Sequence, residues 1–421
     1  MIETISLDQN ITLRCFRDTR FKQGCLSFQL VRPMGAEEAA KNALLPAVLL
    51  RGTKQHPNLR AITHRLDALY GASVSPLVRR VGDYQTVGVY CGFMDDRFAL
   101  PGDQVLAPMV EFLAEVLLES PVENGGFLTS FVESEKRNLI ATIESERNDK
   151  RAYAMGKLLK TMCREDTFGL PRLGEPTQVA AIDSVDLYRH YQSILRTSPI
   201  QIFYVGSAET QAVAQLLHPL LSRLDRQSNG LPEQTGFHPC QGSDLTETME
   251  VSQGKLCMGF VTPITNRDAQ FPAMQVLNTL FGAGMTSKLF MQIREKMSLC
   301  YSIGSGYYGT KGILTVSAGI DFDKEDLTRA EILRQLDACR EGEITAEELT
   351  AAKEALLSSL RATHDAPGAI EAYYATGALS GMSMTPAEYM AAVDGVTLEA
   401  VVAAARTVQL HSTYFLKGGS Q

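Results

Sequence analysis

The two halves of this chain resemble each other, and that likeness limits the folds the chain can adopt. The stretch AAIDSVDLYRHY beginning at Ala180 matches AAVDGVTLEAVV beginning at Ala391, about half the chain length away. At the same offset, QIFYV from Gln201 meets STYFL from Ser412. Two copies of one unit are expected to fold as two similar domains, each with its own core.

A segment rich in glycine, proline and polar residues separates the two copies. It reads RQSNGLPEQTGFHPCQGSD and covers residues 226–244, a composition typical of a linker. The sequence therefore predicts a first domain at residues 1–225, a linker at 226–244 and a second domain at 245–421. With 421 residues, of which 45% are hydrophobic, the chain is long enough to bury both cores.

Both copies show the same order of strand and helix patterns. Strand-like runs occur at Cys25–Val31, Thr86–Phe93, Leu256–Val261 and Ile313–Ile320. Helical patterns lie between and after these runs, and the helical stretch from Phe131 corresponds to the one from Glu348. Strands flanked by pairs of helices predict an α+β fold of two homologous sandwich halves, each a mostly antiparallel sheet covered by helices.

Charge and composition exclude several classes of partner. The formal net charge is -8 and no basic run occurs, which argues against nucleic acid or a membrane surface as the main partner. The longest apolar run, residues 43–50, is too short to span a bilayer, and the first residues do not resemble a signal peptide. The eight cysteines show no metal-binding spacing. We therefore expect a cytoplasmic protein with reduced thiols.

Residues 282–302, GAGMTSKLFMQIREKMSLCYS, combine a glycine turn, an amphipathic helix and the start of a strand. Gly282 and Gly284 permit a tight and flexible turn, although a simple entry into the helix explains them equally well. Thr286 or Ser287 is suited to cap that helix. Four-residue spacing predicts a buried helix face made of Met285, Leu289 and Ile293.

Arg294 and Tyr301 lie at the corner between this helix and the strand that follows. A guanidinium offers a planar fork of donors and a phenol offers a hydroxyl, so together they suit a peptide carbonyl or a carboxylate. A surface ion pair and a half-buried tyrosine explain the same two residues without any function. Residue types by themselves leave both interpretations open.

The segment resembles the pattern G-x-S-x-L-x-x-x-x-R-x-x-x-x-L-x-Y of the insulinase, pitrilysin and mitochondrial processing peptidase family. The resemblance covers nearly the whole chain, including residues 168–195 and the LLRGT stretch at 49–53. It is most marked for the zinc-less, YmfF-like bacterial members. The family is built from two halves of similar size that form half of a clamshell, and the resemblance implies that architecture here.

Active members of that family carry the zinc motif H-x-x-E-H on their first core helix. Alignment on LLRGT places Ala43 and Ala47 at the two histidines and Pro46 at the glutamate that polarises water. The third ligand, a downstream glutamate, falls at Thr142. The resemblance therefore implies that this chain has lost the zinc site and carries no catalytic residue.

Other residues offer no clear replacement for the lost ligands. Glu144 and Glu146 lie close to the position of the third ligand, so its register stays open. The seven histidines form no pair at helical spacing, and His56 and His64 lie on either side of a proline turn. A shared site for those two histidines stays a minor alternative.

The resemblance implies a division of labour between two chains. In the family, the arginine and tyrosine of the second half grip the peptide backbone, so Arg294 and Tyr301 are the expected substrate-binding residues. Zinc is expected in a paralogous, zinc-bearing partner, and the pair is expected to act as a heterodimeric peptidase on a peptide or unfolded polypeptide. This chain by itself is expected to hold no cofactor.

Three alternatives remain open at this stage. The closest is a peptide-binding or scaffold protein without any proteolytic role. An independently active metallopeptidase with relocated ligands is a second, and an enzyme that modifies a peptide or translation factor is a third. The sequence reveals neither the peptide preferred, nor the pathway, nor whether the chain forms homodimers.

Overall fold

The computed structural model describes residues 2–146, 148–228 and 230–419. Asn229, within the predicted linker, lies outside the described residues. In the described ranges, every helix is too short or too polar to cross a bilayer. Contacts divide the chain into two compact units, a first unit of residues 1–144, 171–233 and 364–376 and a second unit of residues 145–170, 234–363 and 377–421.

The strands supply two main sheets and one small hairpin. In chain order they are β1 (Ile2–Asp8), β2 (Ile11–Arg17), β3 (Gln23–Pro33), β4 (Ser73–Val81), β5 (Tyr84–Met94), β6 (Val122–Glu123), β7 (Gly126–Phe127), β8 (Ile200–Gly206), β9 (Asp244–Met249), β10 (Gly254–Val261), β11 (Cys300–Tyr308), β12 (Ile313–Ile320) and β13 (Gln409–Gly418).

The α-helices cover these sheets. They are α1 (Ala39–Leu49), α2 (Leu59–Asp67), α3 (Leu106–Leu118), α4 (Thr129–Ser145), α5 (Lys150–Met162), α6 (Pro176–Ala181), α7 (Ser184–Thr197), α8 (Thr210–Leu221), α9 (Phe271–Asn278), α10 (Glu325–Glu341), α11 (Ala346–Ala362), α12 (Pro367–Ser380), α13 (Pro386–Asp394) and α14 (Leu398–Thr407). Two π-helical stretches follow α9, at Thr279–Ala283 and Leu289–Lys296. Short 3-10 turns lie at Asp96–Phe98, Thr167–Gly169 and Phe322–Lys324.

The two main sheets share one topology. The first unit has the strand order β1-β2-β8-β3-β5-β4, and the second has β9-β13-β10-β12-β11. With the additional β1 set aside, the strands of each sheet that come first and last along the chain, β2 with β8 and β9 with β13, pair in parallel. All other neighbouring strands pair antiparallel. The predicted fold class, two α+β halves with mostly antiparallel sheets, is confirmed. The edge strands β4 and β11 occupy equivalent positions.

Each unit includes a helical segment from the other half of the chain. The first unit takes residues 364–376, the start of α12, and the second takes residues 145–170, which contain α5. In the first unit, Ile370 packs with Phe16, Cys25 and Val205. In the second, Ala154 and Leu158 of α5 pack with Cys257, Tyr414 and Leu416. The predicted domains are continuous in sequence, whereas these compact units are not.

Helix α1 contains a proline and nevertheless continues to Leu49. Pro46 lies in its interior, where the missing N–H and the ring cost about 3 kcal/mol. The helix is almost wholly buried and packs against β4, β5, α6 and α7. Burial of apolar side chains offsets the lost backbone hydrogen bond.

The predicted helix face at Met285 is wrong in part. Met285 is 78% exposed and precedes the helix, which the structure places at Leu289–Lys296. Leu289 and Ile293 are fully buried, as predicted. Of the two proposed caps, Ser287 accepts a hydrogen bond from the Phe290 N–H at 3.4 Å, whereas the N-cap position of the helix falls at Lys288. The four-residue spacing of Met285, Leu289 and Ile293 does not show at which of these residues the helix begins.

Candidate functional site

Arg294 is held at the end of the π-helical stretch by three contacts. Its Nε donates to the main-chain oxygen of Tyr301 at 3.1 Å, and its Nη1 lies 3.1 Å from Glu295 Oε1. The guanidinium carbon lies 4.6 Å from the centre of the Phe290 ring, within the range of a cation–π contact. Arg294 Nη2 has no hydrogen bond to another described residue, so its donors remain available to a ligand.

Tyr301 lies at the start of β11 and is 62% exposed. Its pairing with β12 shifts between Cys300 and Ser302, so Tyr301 occupies a β-bulge. The phenol donates to Asp321 Oδ1 at 3.0 Å, and this hydrogen bond raises the pKa of Tyr301. The structure therefore joins Arg294 to the main chain of Tyr301, while the phenol has an acidic partner of its own.

Asp321 is a residue of this site that the sequence reasoning missed. Its Oδ2 lies 2.8 Å from Lys324 Nζ, and the hydrogen bonds from Lys324 and Tyr301 lower the pKa of its carboxyl. The carboxylate therefore stays ionised at neutral pH and orients the phenol. The sequence feature that could have identified Asp321 is its position directly after the apolar run of β12, because a polar residue there ends a buried strand.

The two glycines ahead of the helix differ in their surroundings. A Cβ at Gly282 would lie 2.7 Å from Ser305 Oγ and 2.8 Å from Leu289 Cδ1, so close packing against β11 requires glycine there. Gly284 has extended backbone angles and no such close neighbour. Close packing thus accounts for Gly282, and the flexible turn stays a prediction.

One edge of β11 is open in the part of the chain that the structure describes. The strand pairs with β12 on one side only and ends the sheet. An edge strand presents unpaired N–H and C=O groups that can bind an extended peptide. Tyr301 and Arg294 lie at one end of this edge.

A cavity in the first unit is lined by three of the residues that were expected to align with the zinc motif of the family. Ala43 and Ala47 of α1 face Leu139 and Thr142 of α4 across a cavity of about 310 Å³. Pro46 is buried within α1 and is not part of the lining. The structure therefore brings together three of the four aligned positions, Ala43, Ala47 and Thr142.

The donors in this cavity do not fit a zinc ion. Neither alanine can coordinate a metal, and the cavity offers no imidazole or thiolate. Its carboxylate, Glu135, lies 3.2 Å from Arg51 Nη1 and accepts a hydrogen bond from Asn138 Nδ2 at 3.1 Å. Among residues 2–146, 148–228 and 230–419, no three or more His, Cys, Asp or Glu residues come together as a metal site would require.

Of the two histidines around the proline turn, His56 is held by partners in the first unit. His56 Nδ1 lies 2.8 Å from Glu115 Oε2, and the main-chain N–H of His56 donates to Thr53 Oγ1. His64 lies on α2 and is exposed. The sequence alternative of one site shared by His56 and His64 gains no support from this arrangement. All eight cysteines are free thiols.

His190 of α7 contacts α1, the helix that includes Ala43 and Ala47. Its Nε2 lies 2.7 Å from Asn42 Oδ1, and Asn42 in turn donates to Gln85 Oε1 at 2.9 Å. Burial lowers the pKa of His190 to about 4. The imidazole is therefore neutral at pH 7 and donates its Nε2 proton to Asn42, the residue next to Ala43.

We expect this histidine to make stability fall in mild acid. Its folded pKa lies below the unfolded value of about 6.5, so the folded chain binds fewer protons and loses stability as the pH falls between these values. Between about pH 7 and about pH 5 the loss from this residue is about 1–2 kcal/mol. Urea unfolding of His190→Gln should show a smaller pH dependence than the parent chain. His64→Gln serves as the control, and equal pH dependence in all three chains would contradict the prediction.

Comparisons with known proteins identify similar sequences that are described as inactive. Residues 181–356 match the family described as Peptidase M16 inactive domain. The chain is 29% identical over 408 residues to the "Probable inactive metalloprotease YmfF" of Bacillus subtilis (strain 168), which covers 97% of this chain and 96% of that protein.

Solved structures show the same fold. A conserved protein from Enterococcus faecalis V583 superposes with a TM-score of 0.93 at 26% identity, covering 100% of this chain and 99% of that chain. A peptidase M16 inactive domain from Pseudomonas fluorescens has a TM-score of 0.82 at 16% identity, covering 100% and 98%. These structures confirm the fold, and the two sequence matches confirm the resemblance to this peptidase family that residues 282–302 predicted.

Proposed function

We propose that this chain, a homologue of the M16 peptidases, is a non-catalytic subunit that holds an extended peptide while a zinc-bearing partner cleaves it. The observation that carries the proposal is the arrangement at the start of β11. There, an exposed Tyr301 lies at an open sheet edge, and Arg294 is bonded to the main chain of the same residue.

The geometry suits the backbone of a peptide rather than a particular side chain. The Tyr301 hydroxyl donates its proton to Asp321, so its free lone pairs can accept from a peptide N–H. Arg294 retains donors for a peptide carbonyl, and hydrogen bonds from a charged donor are about twice as strong as neutral ones. The unpaired groups of β11 extend this pairing along the peptide.

The cavity between α1 and α4 supports the division of labour. Its lining includes Ala43 and Ala47, which the sequence alignment sets against the imidazoles of zinc-dependent relatives, and its one carboxylate is engaged by Arg51. Hydrolysis is therefore assigned to a partner of the same family that has the complete motif, acting with this chain as a heterodimer. A cytoplasmic location remains part of this proposal.

Replacing Arg294 by glutamine tests the proposal directly. We expect the affinity for an extended peptide to fall about tenfold, because a charged donor to the peptide backbone is lost. Turnover by the pair copurified with its natural partner should fall as well, with an unchanged unfolding curve for this chain. Fluorescence anisotropy with a labelled peptide and a peptidase assay measure the two effects.

Lys296→Gln is the matched control, since Lys296 is an exposed cation on the same helical turn. Equal binding and turnover by the Arg294→Gln and Lys296→Gln chains would rule the peptide-holding role out. A copurified partner that contains no zinc and has no peptidase activity would favour the scaffold alternative instead.

A further inference from the structure

A group of polar and small residues lies on the face of the second sheet that α5 covers. Residues from three neighbouring strands form two adjacent rows there, Lys255–Gly319–Ser302 and Cys257–Ser317–Gly304. Alternate residues of a strand point to the same face, so all six positions share one surface. Both positions from β11, Ser302 and Gly304, belong to the first half of this open edge strand.

Arg151, in the first turn of α5, reaches across this surface. Its Nε donates to Ser317 Oγ at 3.1 Å, although Ser317 itself is only 6% exposed. A Cβ placed on Gly304 would lie 3.8 Å from Arg151 Nη2, which puts the guanidinium directly over β11. The terminal nitrogens have no carboxylate partner among the described residues.

Lys255 adds a second positive charge to the same surface. Its Nζ donates to Gln253 Oε1, and no carboxylate within the described part of the chain lies at ion-pair distance. Burial lowers the pKa of Lys255, Asp149 raises it, and the nearby Arg151 charge lowers it further. Asp149 is already engaged as the cap of α5, accepting from the N–H groups of Arg151 and Ala152 at 3.0 Å.

We propose that Arg151 and Lys255 bind a carboxylate of the peptide held along β11. This inference rests on the proposed function and names its substrate class, peptides that carry an acidic side chain or a free C-terminus at a set distance from Tyr301. A guanidinium fork matches the two oxygens of a carboxylate, and the ammonium adds charge attraction. Arg151 therefore selects among peptides that Arg294 and Tyr301 bind through their backbone.

The spacing along β11 fits one continuous peptide. Gly304 lies three residues beyond Tyr301, which corresponds to about 10 Å of extended chain. Glycine at 304 has no side chain between the strand and Arg151, so the guanidinium lies close to β11 and faces a peptide paired with its open edge. A peptide that contacts Tyr301 near one end thus presents a residue about three positions away to Arg151.

The test compares labelled peptides on the full chain by fluorescence anisotropy. The reference probe is a neutral peptide of about ten residues with an acetylated N-terminus and an amidated C-terminus, long enough to cover the edge of β11. One series carries a single glutamate at successive positions, and another carries a free C-terminal carboxylate at successive lengths. We expect one position or one length to bind about tenfold more tightly than the reference.

The variants Arg151→Gln and Lys255→Gln should each reduce this preference, with binding of the neutral reference unchanged. Arg164→Gln, an exposed arginine beyond the end of α5, should leave the preference intact. The two peptide series distinguish a side-chain carboxylate from a C-terminal one, and either supports the inference.

The result that overturns this inference differs from the one that overturns the proposed function. If the neutral reference binds in a manner that depends on Arg294, but no carboxylate improves binding, the inference fails and the proposed function stands. The inference is also rejected if the preference for a carboxylate persists in both variants, or if the variants weaken the binding of neutral and acidic peptides equally. If no peptide binds at all, both proposals fall together.

Discussion

Replacing Lys311 by methionine is expected to destabilise the second unit by about 3–5 kcal/mol, because it leaves the carboxylate of Asp166 buried without its charged partner. Both side chains are fully buried, and Lys311 Nζ lies 3.0 Å from Asp166 Oδ1. The same ammonium donates to the main-chain oxygen of Thr235 at 3.2 Å. Asp166 also accepts from the N–H groups of Phe168 and His238, so the pair ties the second part of the predicted linker to this unit.

Urea unfolding monitored by circular dichroism measures this effect. Lys417→Met is the control, because Lys417 is an exposed lysine of β13 and its loss should change stability by less than about 0.5 kcal/mol. The double change Lys311→Met with Asp166→Asn should recover part of the loss, since the remaining buried group is then neutral. A loss below about 1 kcal/mol in the single variant would show that the buried pair is not important for stability.

Replacing Arg79 by methionine is expected to destabilise the first unit by about 3 kcal/mol. Arg79, on the edge strand β4, binds both oxygens of Glu371, at 3.0 Å and 2.8 Å. The Glu371 side chain is fully buried, and its Oε1 also accepts from Ser27 Oγ and Gln29 Nε2. Without Arg79, the Oε2 atom of a buried carboxylate loses its hydrogen-bond donor.

A second substitution separates this effect from a general loss of packing. In the Arg79→Met background, Glu371→Gln should restore stability, because the buried group then carries no charge. If Glu371→Gln instead lowers stability further, the charge of Glu371 is not what Arg79 compensates. Arg60→Met, an exposed arginine of α2, is the surface control. Chemical unfolding at neutral pH gives all four values.

Both of these ion pairs join parts of the chain that are distant in sequence. Arg79 and Glu371 lie in different halves, yet both belong to the first unit. Asp166 comes from the segment between α5 and α6, yet it belongs to the second unit with Lys311. The helical segments that the halves exchange are therefore held by buried charges as well as by apolar contacts.

The strands were the most predictable part of the fold. The run at Ile313–Ile320 matches β12 in full, and the other three runs lie within β3, β5 and β10. These strands are buried on both faces and read as continuous apolar segments, a signal that does not depend on distant residues. The likeness between the two halves indicated, in addition, that both sheets share one topology.

The exchanged segments were not predictable by the same means. The matched helices from Phe131 and Glu348 correspond to α4 with α5 and to α11 with α12. Their apolar faces predict burial but do not identify the sheet that buries them. The sheet that buries each helix is the one whose surface the helix can reach after the intervening turn. That surface exists only in the folded chain.

For the candidate site, the residue types were visible and their partners were not. Arg294 and Tyr301 stood out because residues 282–302 resemble a family motif that contains this pair, whereas Asp321 and Arg151 are ordinary polar residues in sequence. The structure adds the bulge at Tyr301, the exposure of its ring and the open edge of β11. Each of these follows from strand pairing, which joins residues far apart along the chain.

Sequence by itself indicated the duplicated α+β architecture and the segment that carries the arginine and tyrosine, and the family resemblance led to the expectation that Ala43 and Ala47 replace zinc ligands. These conclusions rest on local composition, on periodicity, on likeness between segments and on likeness to a known family, all of which are present in the unfolded chain. Tertiary structure decided which sheet each exchanged helix covers, that Asp321 orients Tyr301, and that Arg151 reaches β11. These are contacts between distant residues, and they exist only once the strands have paired and the cores have closed.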